Sequence, residues 1–394
     1  MTRERIVSQP AENGRRVRSV LLAGGGTAGH VNPLLAVADE LHRRDPAMVL
    51  TVLGTARGLE ATLVPAHGLP LALVPRVPLP RRPTVDWFRL PGRLAAAVRA
   101  AGDAIDRAGA QVVVGFGGYV ATPAYLAARR RGVPVVIHEA NARPGLANRL
   151  GARWARSVTV TFAGTRLPRA QVVGMPLRVE VLALVGTTAD RQARRVAAAA
   201  ALGLDADRVT LLVTGGSLGA QRLNRVMASF GADLRAAGVQ VLHLAGRGKA
   251  EQVMAAVGAD TPSTEPVGAG SYQVLEYLAE MEHAYALADL VVCRAGAATV
   301  SELAALGIPA VYVPLPIGNG EQRLNAVPVV EAGGGLLVAD ADLTLGWLRE
   351  HALPLLSGAV AGDGRLRDMG VAAARVGVRD GAERVADVVE EALR

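Results

Sequence analysis

The chain has 394 residues, of which 51% are hydrophobic, so it is long enough for two domains that each have a core. A single cysteine, Cys293, excludes an internal disulfide and favours a reducing compartment. The net charge of +8 is uneven, because residues 1–180 hold 25 basic against 11 acidic side chains and residues 181–394 hold 18 against 24. The basic first half indicates an anionic partner, either nucleic acid or a negatively charged membrane surface, unless its arginines merely cover exposed faces.

The N-terminus is polar and Arg-rich, which predicts a disordered tail over residues 1–16. The first apolar run, which begins at Val20, is broken by Gly24. No later run reaches the ~18 apolar residues that a membrane-spanning helix needs. The sequence therefore predicts a cytoplasmic protein without a transmembrane segment.

Short apolar runs rich in β-branched residues alternate with longer helical patterns. In chain order, the predicted strands are 17–22, 49–53, 112–115, 133–138, 158–161, 171–173, 209–214, 239–245, 290–293, 310–314 and 335–338. This alternation predicts an α/β fold with two parallel sheets, each covered by helices on both faces. The predicted domains are 17–180 and 187–370, with a linker near 174–186, and the last helix, 382–393, is a candidate to pack back on the first domain.

A glycine-rich stretch, A-G-G-G-T-A-G-H at residues 23–30, joins the first strand to its helix. Such a turn brings backbone N–H groups close to a ligand, and the helix N-terminus favours phosphate. The stretch matches G-x-G-x-x-G, but the second strand ends without the acidic residue that binds a ribose, and no G-K-[ST] follows. A nicotinamide enzyme and a P-loop NTPase are therefore disfavoured. A similar loop, T-G-G-S-L-G-A-Q at residues 214–221, predicts a second phosphate-binding turn across a cleft.

Further polar or glycine-rich motifs follow other strands. They are G-F-G-G-Y at 115–119, H-E-A-N at 138–141, G-M-P-L-R at 174–178, C-R-A-G-A-A-T-V-S-E at 293–302 and G-N-G-E-Q-R-L-N at 318–325. In this order and spacing, over nearly all of residues 17–390, the chain resembles the MurG family, the UDP-N-acetylglucosamine transferases that convert lipid I to lipid II in peptidoglycan synthesis. The resemblance implies a GT-B fold of two Rossmann-like domains that face each other across a cleft. It further implies that the second domain holds most of the donor and the first domain holds the lipid acceptor, without a cofactor or metal.

The resemblance also implies the donor contacts, in which Glu302 would accept ribose hydroxyls and Ser217 would hold the diphosphate. The implied substrate-binding residues are Thr27, Ala28, Gly29, Asn141, Arg178, Ser217, Leu278, Ala297, Ala298, Thr299, Val300, Ser301, Glu302, Gln322 and Asn325. Leu278 would lie beside the uracil, and Gln322 and Asn325 would bond sugar hydroxyls. The family often has G-N-P where this chain has residues 174–176, and a glutamine pair where it has 321–322, so one linker contact and one sugar contact are open to question.

Inverting transfer from a nucleotide sugar to an alcohol needs a base at the attacking hydroxyl and stabilisation of the charge that develops. His30 is the predicted base or its close partner, because the glycine loop would point its near-neutral imidazole into the cleft. A helix cap or a phosphate ligand is the alternative role for His30. Glu139 is the second candidate base, and a structural carboxylate at a strand end is its alternative.

Two D-x-D stretches, 205–207 and 340–342, have the pattern of a divalent-cation site. The first precedes a strand and the second reads as a helix start, so both are predicted to be surface carboxylates and no metal site is expected. Cys293 falls within an apolar strand and is predicted to be a core residue.

Residues 75–93 place apolar side chains beside arginines, a mixture that suits the headgroup boundary of a membrane. The candidate membrane contacts are Arg81, Arg82, Trp87, Phe88 and Arg89. Each basic residue near an anionic leaflet contributes roughly 1 kcal/mol. Nucleic acid is disfavoured, because only 3% of residues are aromatic and no nucleic-acid-binding motif occurs.

The function that the motifs favour is therefore a lipid I transferase at the cytoplasmic face of the cell membrane, bound peripherally. Its expected partners are UDP-N-acetylglucosamine, undecaprenyl-linked lipid I, the anionic membrane surface and other cell-wall synthesis proteins. Another GT-B enzyme, such as a natural-product glycosyltransferase or a nucleotide-sugar epimerase, is the first alternative. A non-catalytic membrane-associated scaffold is the second, although the intact set of donor residues argues against it.

Overall fold

The computed structural model describes residues 18–77, 86–216, 219–258 and 272–394, with the backbone alone for residues 86–89. The predicted tail, 1–16, lies outside the described residues. Among the described helices, none combines the length and the hydrophobicity that crossing a bilayer requires.

The described strands form two sheets. The strands of the first sheet are β1 (Ser19–Gly24), β2 (Val49–Gly54), β3 (Leu71–Leu73), β4 (Val112–Gly117), β5 (Val135–Glu139), β6 (Ser157–Val160) and β7 (Ala170–Val172). Those of the second are β8 (Thr210–Thr214), β9 (Gln240–Leu244), β10 (Tyr272–Leu275), β11 (Leu290–Cys293), β12 (Ala310–Tyr312) and β13 (Gly335–Leu337).

Helices connect the strands and cover the sheets. Those before β8 are α1 (Ala28–Arg44), α2 (Glu60–Ala66), α3 (Asp86–Ala108), α4 (Ala121–Arg131), α5 (Leu146–Gly151), α6 (Val179–Leu182) and α7 (Thr188–Leu202). Those after β8 are α8 (Gln221–Ser229), α9 (Gly231–Ala236), α10 (Ala250–Val257), α11 (Met281–Leu287), α12 (Ala297–Leu306), α13 (Glu321–Glu331), α14 (Leu345–His351), α15 (Leu353–Val360), α16 (Arg365–Val376) and α17 (Gly381–Ala392).

Both sheets are parallel and doubly wound. Their strand orders are β3-β2-β1-β4-β5-β6-β7 and β10-β9-β8-β11-β12-β13, and each pair of neighbours runs parallel. In each sheet the order reverses beside the first strand of its half, β1 or β8. A crevice forms at such a point, outside the carboxyl ends of the strands, and there open α/β sheets bind their ligands.

Every predicted strand is present, with its ends within two residues of the prediction, and the α/β architecture is confirmed. The prediction missed β3 and β10. Both are edge strands that are at most half-buried, so neither carries the continuous apolar run that marks a strand covered on both faces.

Strand β1 shows how the first sheet buries both of its faces. Leu21 and Ala23 pack in one hydrophobic cluster with α3 and α4, whereas Val20 and Leu22 pack in another with α1 and α17. This division follows the alternation of side chains along a strand. The first sheet is thus held between two helical layers.

The last helix packs on the first domain. Val385 and Val389 of α17 are fully buried in the cluster that contains Leu41 of α1. At the rim, Arg44 donates to Asp387 Oδ1 at 2.6 Å and to the Glu383 carbonyl at 2.9 Å. The chain therefore returns to the first domain after α16, which packs on α12 of the second.

The two halves of the chain share one hydrophobic cluster. Ala142, from the loop after β5, and Met175 and Leu177, from the segment after β7, are buried together with α12 residues such as Val300. The carboxyl-end loops of the first sheet are thereby fixed beside the start of α12.

Candidate active site

His30 lies in the first turn of α1, where the glycine loop leaves β1. Its Nδ1 is 3.2 Å from the Gly25 carbonyl oxygen and 3.2 Å from Thr27 Oγ1. A carbonyl oxygen can only accept, so the hydrogen-bond network assigns the proton to Nδ1 and leaves the Nε2 lone pair unprotonated. His30 therefore presents the nitrogen that a general base requires.

Two glycines of the G-F-G-G-Y motif make room for this arrangement. A Cβ at Gly117 would lie 3.1 Å from Cδ2 and Nε2 of His30, and one at Gly118 would overlap the Gly25 carbonyl oxygen. Both glycines have positive φ, +99° and +81°, which larger residues rarely adopt. The loop after β4 is thus shaped to fit closely against His30 and the glycine turn.

The surroundings of His30 keep it neutral. Burial lowers the pKa of His30, and the opposing influences of the Glu139 carboxylate, the Gly25 carbonyl and the Glu60 carboxylate do not offset this. A pKa below the ordinary value of 6.5 leaves the imidazole in its proton-accepting form at neutral pH.

Glu139, the second candidate base, is buried and already saturated with donors. Its Oε1 accepts from the Asn141 N–H at 3.0 Å, and its Oε2 accepts from the Gly145 N–H and from Asn148 Nδ2, both at 2.9 Å. These bonds fix the loop that follows β5. The geometry therefore favours a positioning role for Glu139, and its role as a base stays a prediction with weaker support.

Glu60 is a residue of this site that the sequence prediction missed. It is fully buried and accepts from the Gly26 N–H at 2.8 Å, and from the N–H and hydroxyl of Thr55 at 2.9 and 2.7 Å. A Cβ at Gly54 or Gly58 would overlap its side chain. The stretch G-T-A-R-G-L-E at 54–60 carries the signal, but Glu60 lies at the start of α2, beyond the end of β2 where a ribose-binding acid is expected.

In the second domain, residues 297–302 form the first turns of α12. The last of them, Glu302, is buried and accepts from the Tyr285 hydroxyl at 2.8 Å. Arg178, which precedes α6, approaches its Oε1 to 3.9 Å, and no described residue bonds the buried Nε of Arg178. Burial raises the pKa of Glu302, although Arg178 and Tyr285 oppose the shift. Two implied donor contacts are therefore neighbours.

Asn325 and Asn141, both implied substrate contacts, hold the two domains together. Asn325 is fully buried, and its Oδ1 accepts from the Ala142 N–H at 2.9 Å. Its Nδ2 donates to the Ala295 carbonyl at 3.2 Å and to Asn141 Oδ1 at 3.4 Å. The expected sugar contact of Asn325 stays a prediction, whereas its observed partners give it an interdomain role.

The other implied contacts differ in their exposure and in their observed partners. Thr27, Ala28 and Gly29 form the accessible start of α1, and Gln322 Oε1 accepts from the Leu315 N–H at 2.9 Å. Leu278 is half-buried against the cluster that contains Val300.

Several predicted residues fall where the structure gives no side chain. Ser217, Arg81 and Arg82 lie outside the described residues. Trp87, Phe88 and Arg89 belong to the first turn of α3, where the structure describes the backbone and not the side chains.

The prediction that both D-x-D stretches are surface carboxylates is wrong for Asp340. Its side chain is 11% exposed and lies 2.6 Å from Arg294, which also donates to the Val313 carbonyl. Arg294 is distant from Asp340 in sequence, so only the tertiary structure brings the two together, and their ion pair explains why this carboxylate is largely buried.

Cys293 is fully buried, as predicted, and burial raises the pKa of its thiol. Within the described ranges, no three His, Cys, Asp or Glu side chains are grouped to hold a metal.

Comparisons with known proteins extend along nearly the whole chain. The glycosyltransferase family 28 N-terminal domain matches residues 20–160, and the C-terminal domain of the same family matches residues 210–385. The UDP-N-acetylglucosamine--N-acetylmuramyl-(pentapeptide) pyrophosphoryl-undecaprenol N-acetylglucosamine transferase of Clavibacter sepedonicus is 56% identical over 374 residues, which cover 95% of this chain and 96% of that relative.

Solved structures share the fold. The crystal structure of MurG from Acinetobacter baumannii superposes with a TM-score of 0.72 and 29% identity, covering 95% of this chain and 99% of the other. A UDP-GlcNAc 2-epimerase from Neisseria meningitidis superposes with a TM-score of 0.64 at 12% identity, covering 95% and 100%. The predicted GT-B fold of two Rossmann-like domains is confirmed.

The interdomain role of Asn325 can be tested by Asn325→Ala. The substitution leaves the Ala142 N–H and the Ala295 carbonyl buried without their partner, which costs about 1–3 kcal/mol for each group. We expect a lower denaturation midpoint and faster hydrogen exchange at the Ala142 amide. Asn319→Ala, the same change on the exposed loop before α13, is the control, and equal effects of the two would contradict the assignment.

Proposed function

This chain belongs to glycosyltransferase family 28, and we propose that it transfers N-acetylglucosamine from UDP-N-acetylglucosamine to the C4 hydroxyl of the muramyl sugar of lipid I, which makes lipid II for peptidoglycan synthesis. The resemblance to the MurG family is confirmed by the relative at 56% identity. The observation that carries the proposal is that this similarity extends over 95% of the chain, so both halves of the cleft are included. The likeness to an epimerase at 12% identity shows the fold alone.

His30 acts as the general base in this proposal. Its Nε2 takes the proton of the acceptor hydroxyl while the hydroxyl oxygen attacks the anomeric carbon of the donor. The bond from that carbon to the β-phosphate oxygen breaks, UDP leaves on the opposite face, and the configuration inverts. Support comes from the neutral imidazole and from the hydrogen bond that leaves Nε2 unprotonated.

The start of α1 assists from the same side of the cleft. Thr27 occupies the N-cap position and makes no side-chain capping bond, so the N–H groups of Ala28 and Gly29 have no helical partner. These groups and the positive end of the helix face the region where negative charge develops on the departing diphosphate.

The second domain binds most of the donor in this proposal. Glu302 accepts the ribose hydroxyls at the start of α12, and Arg178 supplies a positive charge and an unused N–H donor beside it. Ser217, Leu278, Gln322 and the residues between Ala297 and Ser301 complete the expected contacts. No step in this scheme passes through a metal.

The acceptor carries an undecaprenyl chain, so the enzyme has to reach a membrane surface. We propose peripheral binding at the cytoplasmic face through the basic and aromatic residues between 75 and 93. The excess of 25 basic over 11 acidic side chains in residues 1–180 supports this orientation, because an anionic leaflet attracts the basic half. In bacteria that depend on this wall, the activity would serve cell shape and division.

The reaction is tested by UDP release from UDP-N-acetylglucosamine, measured with and without a soluble lipid I analogue. We expect release that requires the analogue, together with a disaccharide product. Release without an acceptor would indicate an epimerase or hydrolase instead. Failure to release UDP in both conditions, with the protein shown to be folded, would contradict the transferase proposal.

The role of His30 is tested by His30→Ala. General-base assistance typically contributes 10²–10⁴-fold, so we expect kcat to fall by on the order of 10² or more while the Kd for UDP changes little. His67→Ala removes the histidine that directly follows α2 and pairs with Asp39 at the surface, and it serves as the control. Turnover that survives His30→Ala would remove this residue from the mechanism.

Membrane binding is tested by replacing Arg81, Arg82 and Arg89 with Ser. Because three positive charges are lost, we expect weaker sedimentation with vesicles that contain anionic phospholipid, and no change with neutral vesicles. The control replaces three exposed arginines of the second domain, Arg191, Arg367 and Arg375, by Ser. If both triple variants lose binding equally, net charge rather than this segment directs the association.

A further inference from the structure

One peptide group connects Glu60 to His30. The Gly26 N–H donates to Glu60 Oε2 at 2.8 Å, and the Gly25 carbonyl oxygen faces His30 Nδ1 at 3.2 Å. The Gly25 carbonyl and the Gly26 N–H belong to the same planar amide. A carboxylate at one end of this amide therefore acts on an imidazole at the other.

Every hydrogen bond along this line points toward Glu60, which accepts on both of its carboxylate oxygens. Thr55 donates its N–H and hydroxyl to Glu60 Oε1, Gly26 donates to Glu60 Oε2, and His30 donates to the Gly25 oxygen. Bonds that run head to tail polarise one another, so a negative charge at the Gly26 N–H makes the Gly25 oxygen a stronger acceptor. A stronger acceptor holds the proton on Nδ1.

Glu60 carries that negative charge at neutral pH. Burial raises the pKa of its carboxyl, but the donors from Gly26 and Thr55 outweigh burial and lower the pKa overall. Glycines leave the required space, because a Cβ at Gly25, Gly54 or Gly58 would overlap the Glu60 side chain.

We propose that Glu60 is a positioning residue for catalysis, which acts on His30 through the peptide group between Gly25 and Gly26. It fixes the Nδ1–H tautomer, orients the ring and stabilises the imidazolium that forms when Nε2 takes the acceptor proton. The proposal rests on the role of His30 as the base. In other His-dependent enzymes a carboxylate bonds the imidazole directly. Here the carboxylate acts on the imidazole through a backbone amide that lies between them.

Other charged groups face the same region. Glu139 at the end of β5 also raises the pKa of His30. Arg57 and Arg76 line a small cavity beside Glu60, and the Arg76 guanidinium lies 4.7 Å from the centre of the Tyr119 ring. A test of Glu60 must therefore change this one carboxylate and leave these groups in place.

The test variant is Glu60→Gln. Thr55 supplies two donors, so the Gln carbonyl oxygen turns to Thr55 and the amide NH₂ meets the Gly26 N–H, where two donors cannot bond. We expect kcat to fall about tenfold, less than the loss of the base itself. The acid limb of kcat/KM moves to lower pH, because removing a negative charge lowers the pKa of His30. Glu40→Gln, at another buried carboxylate, which lies on α1 and bonds Arg43 and Arg44, is the control.

A double-mutant cycle separates positioning from general damage to the structure. If Glu60 acts through His30, Glu60→Gln lowers kcat about tenfold in the parent enzyme and less than about twofold in the His30→Ala background. An equal loss in both backgrounds would overturn the proposal. The ring ¹⁵N shifts of His30 give a readout without turnover, and an unchanged pKa in Glu60→Gln would also overturn it.

The two proposals fail in different ways. If His30→Ala keeps the parent turnover, the base assignment fails, whatever the ¹⁵N titration shows. If His30→Ala loses turnover while Glu60→Gln changes neither the kcat nor the pKa of His30, only the Glu60 proposal fails. Should Glu60→Gln not fold, Gly118→Ala displaces the same Gly25 carbonyl from the other side, and the same shift of the acid limb is expected.

Discussion

The site depends on the buried hydrogen bonds of Asn325. They join the loop after β5 of the first domain to α13 and to the loop after β11 in the second. A buried amide is costly unless its donors and acceptors are paired, so Asn325 favours the arrangement in which Ala142 and Ala295 lie on either side of it. The same loop is held at its other end by Glu139. The position of the loop after β5 relative to the start of α12 therefore depends on two buried polar side chains, Asn325 and Glu139.

Burial tunes two ionisable groups of the cleft in opposite senses. It lowers the pKa of His30, because a cation is disfavoured away from water, and raises the pKa of Glu302, because an anion is disfavoured there. Each shift is limited by a neighbour of opposite charge, Glu60 or Glu139 for the histidine and Arg178 for the glutamate. The cleft thus holds a neutral imidazole on one side and a carboxylate beside an arginine on the other.

The sequence predicts those structural elements that a residue and its neighbours in the chain determine by themselves. The strands covered on both faces are visible as apolar runs, and the glycine loops as departures from them. Prediction fails where the partner is distant in sequence. Nothing near Asp340 predicts that Arg294 will pair with it, and nothing near Asn325 predicts the loop after β5. Glu60 escapes prediction for a different reason, because an acidic ribose partner is expected at a strand end, whereas this carboxylate lies on α2 and binds the protein's own amide.

That difference bears on what the first glycine loop can bind. In a dinucleotide site, the amides of such a loop face a phosphate. Here the Gly26 N–H is already bonded to the ionised carboxylate of Glu60, and a phosphate at the same amide would be repelled. The accessible N–H groups are those of Ala28 and Gly29, at the start of α1 and directly before His30. The first glycine loop therefore holds its own carboxylate where a dinucleotide site holds a phosphate, and it uses the Gly25 carbonyl to orient His30.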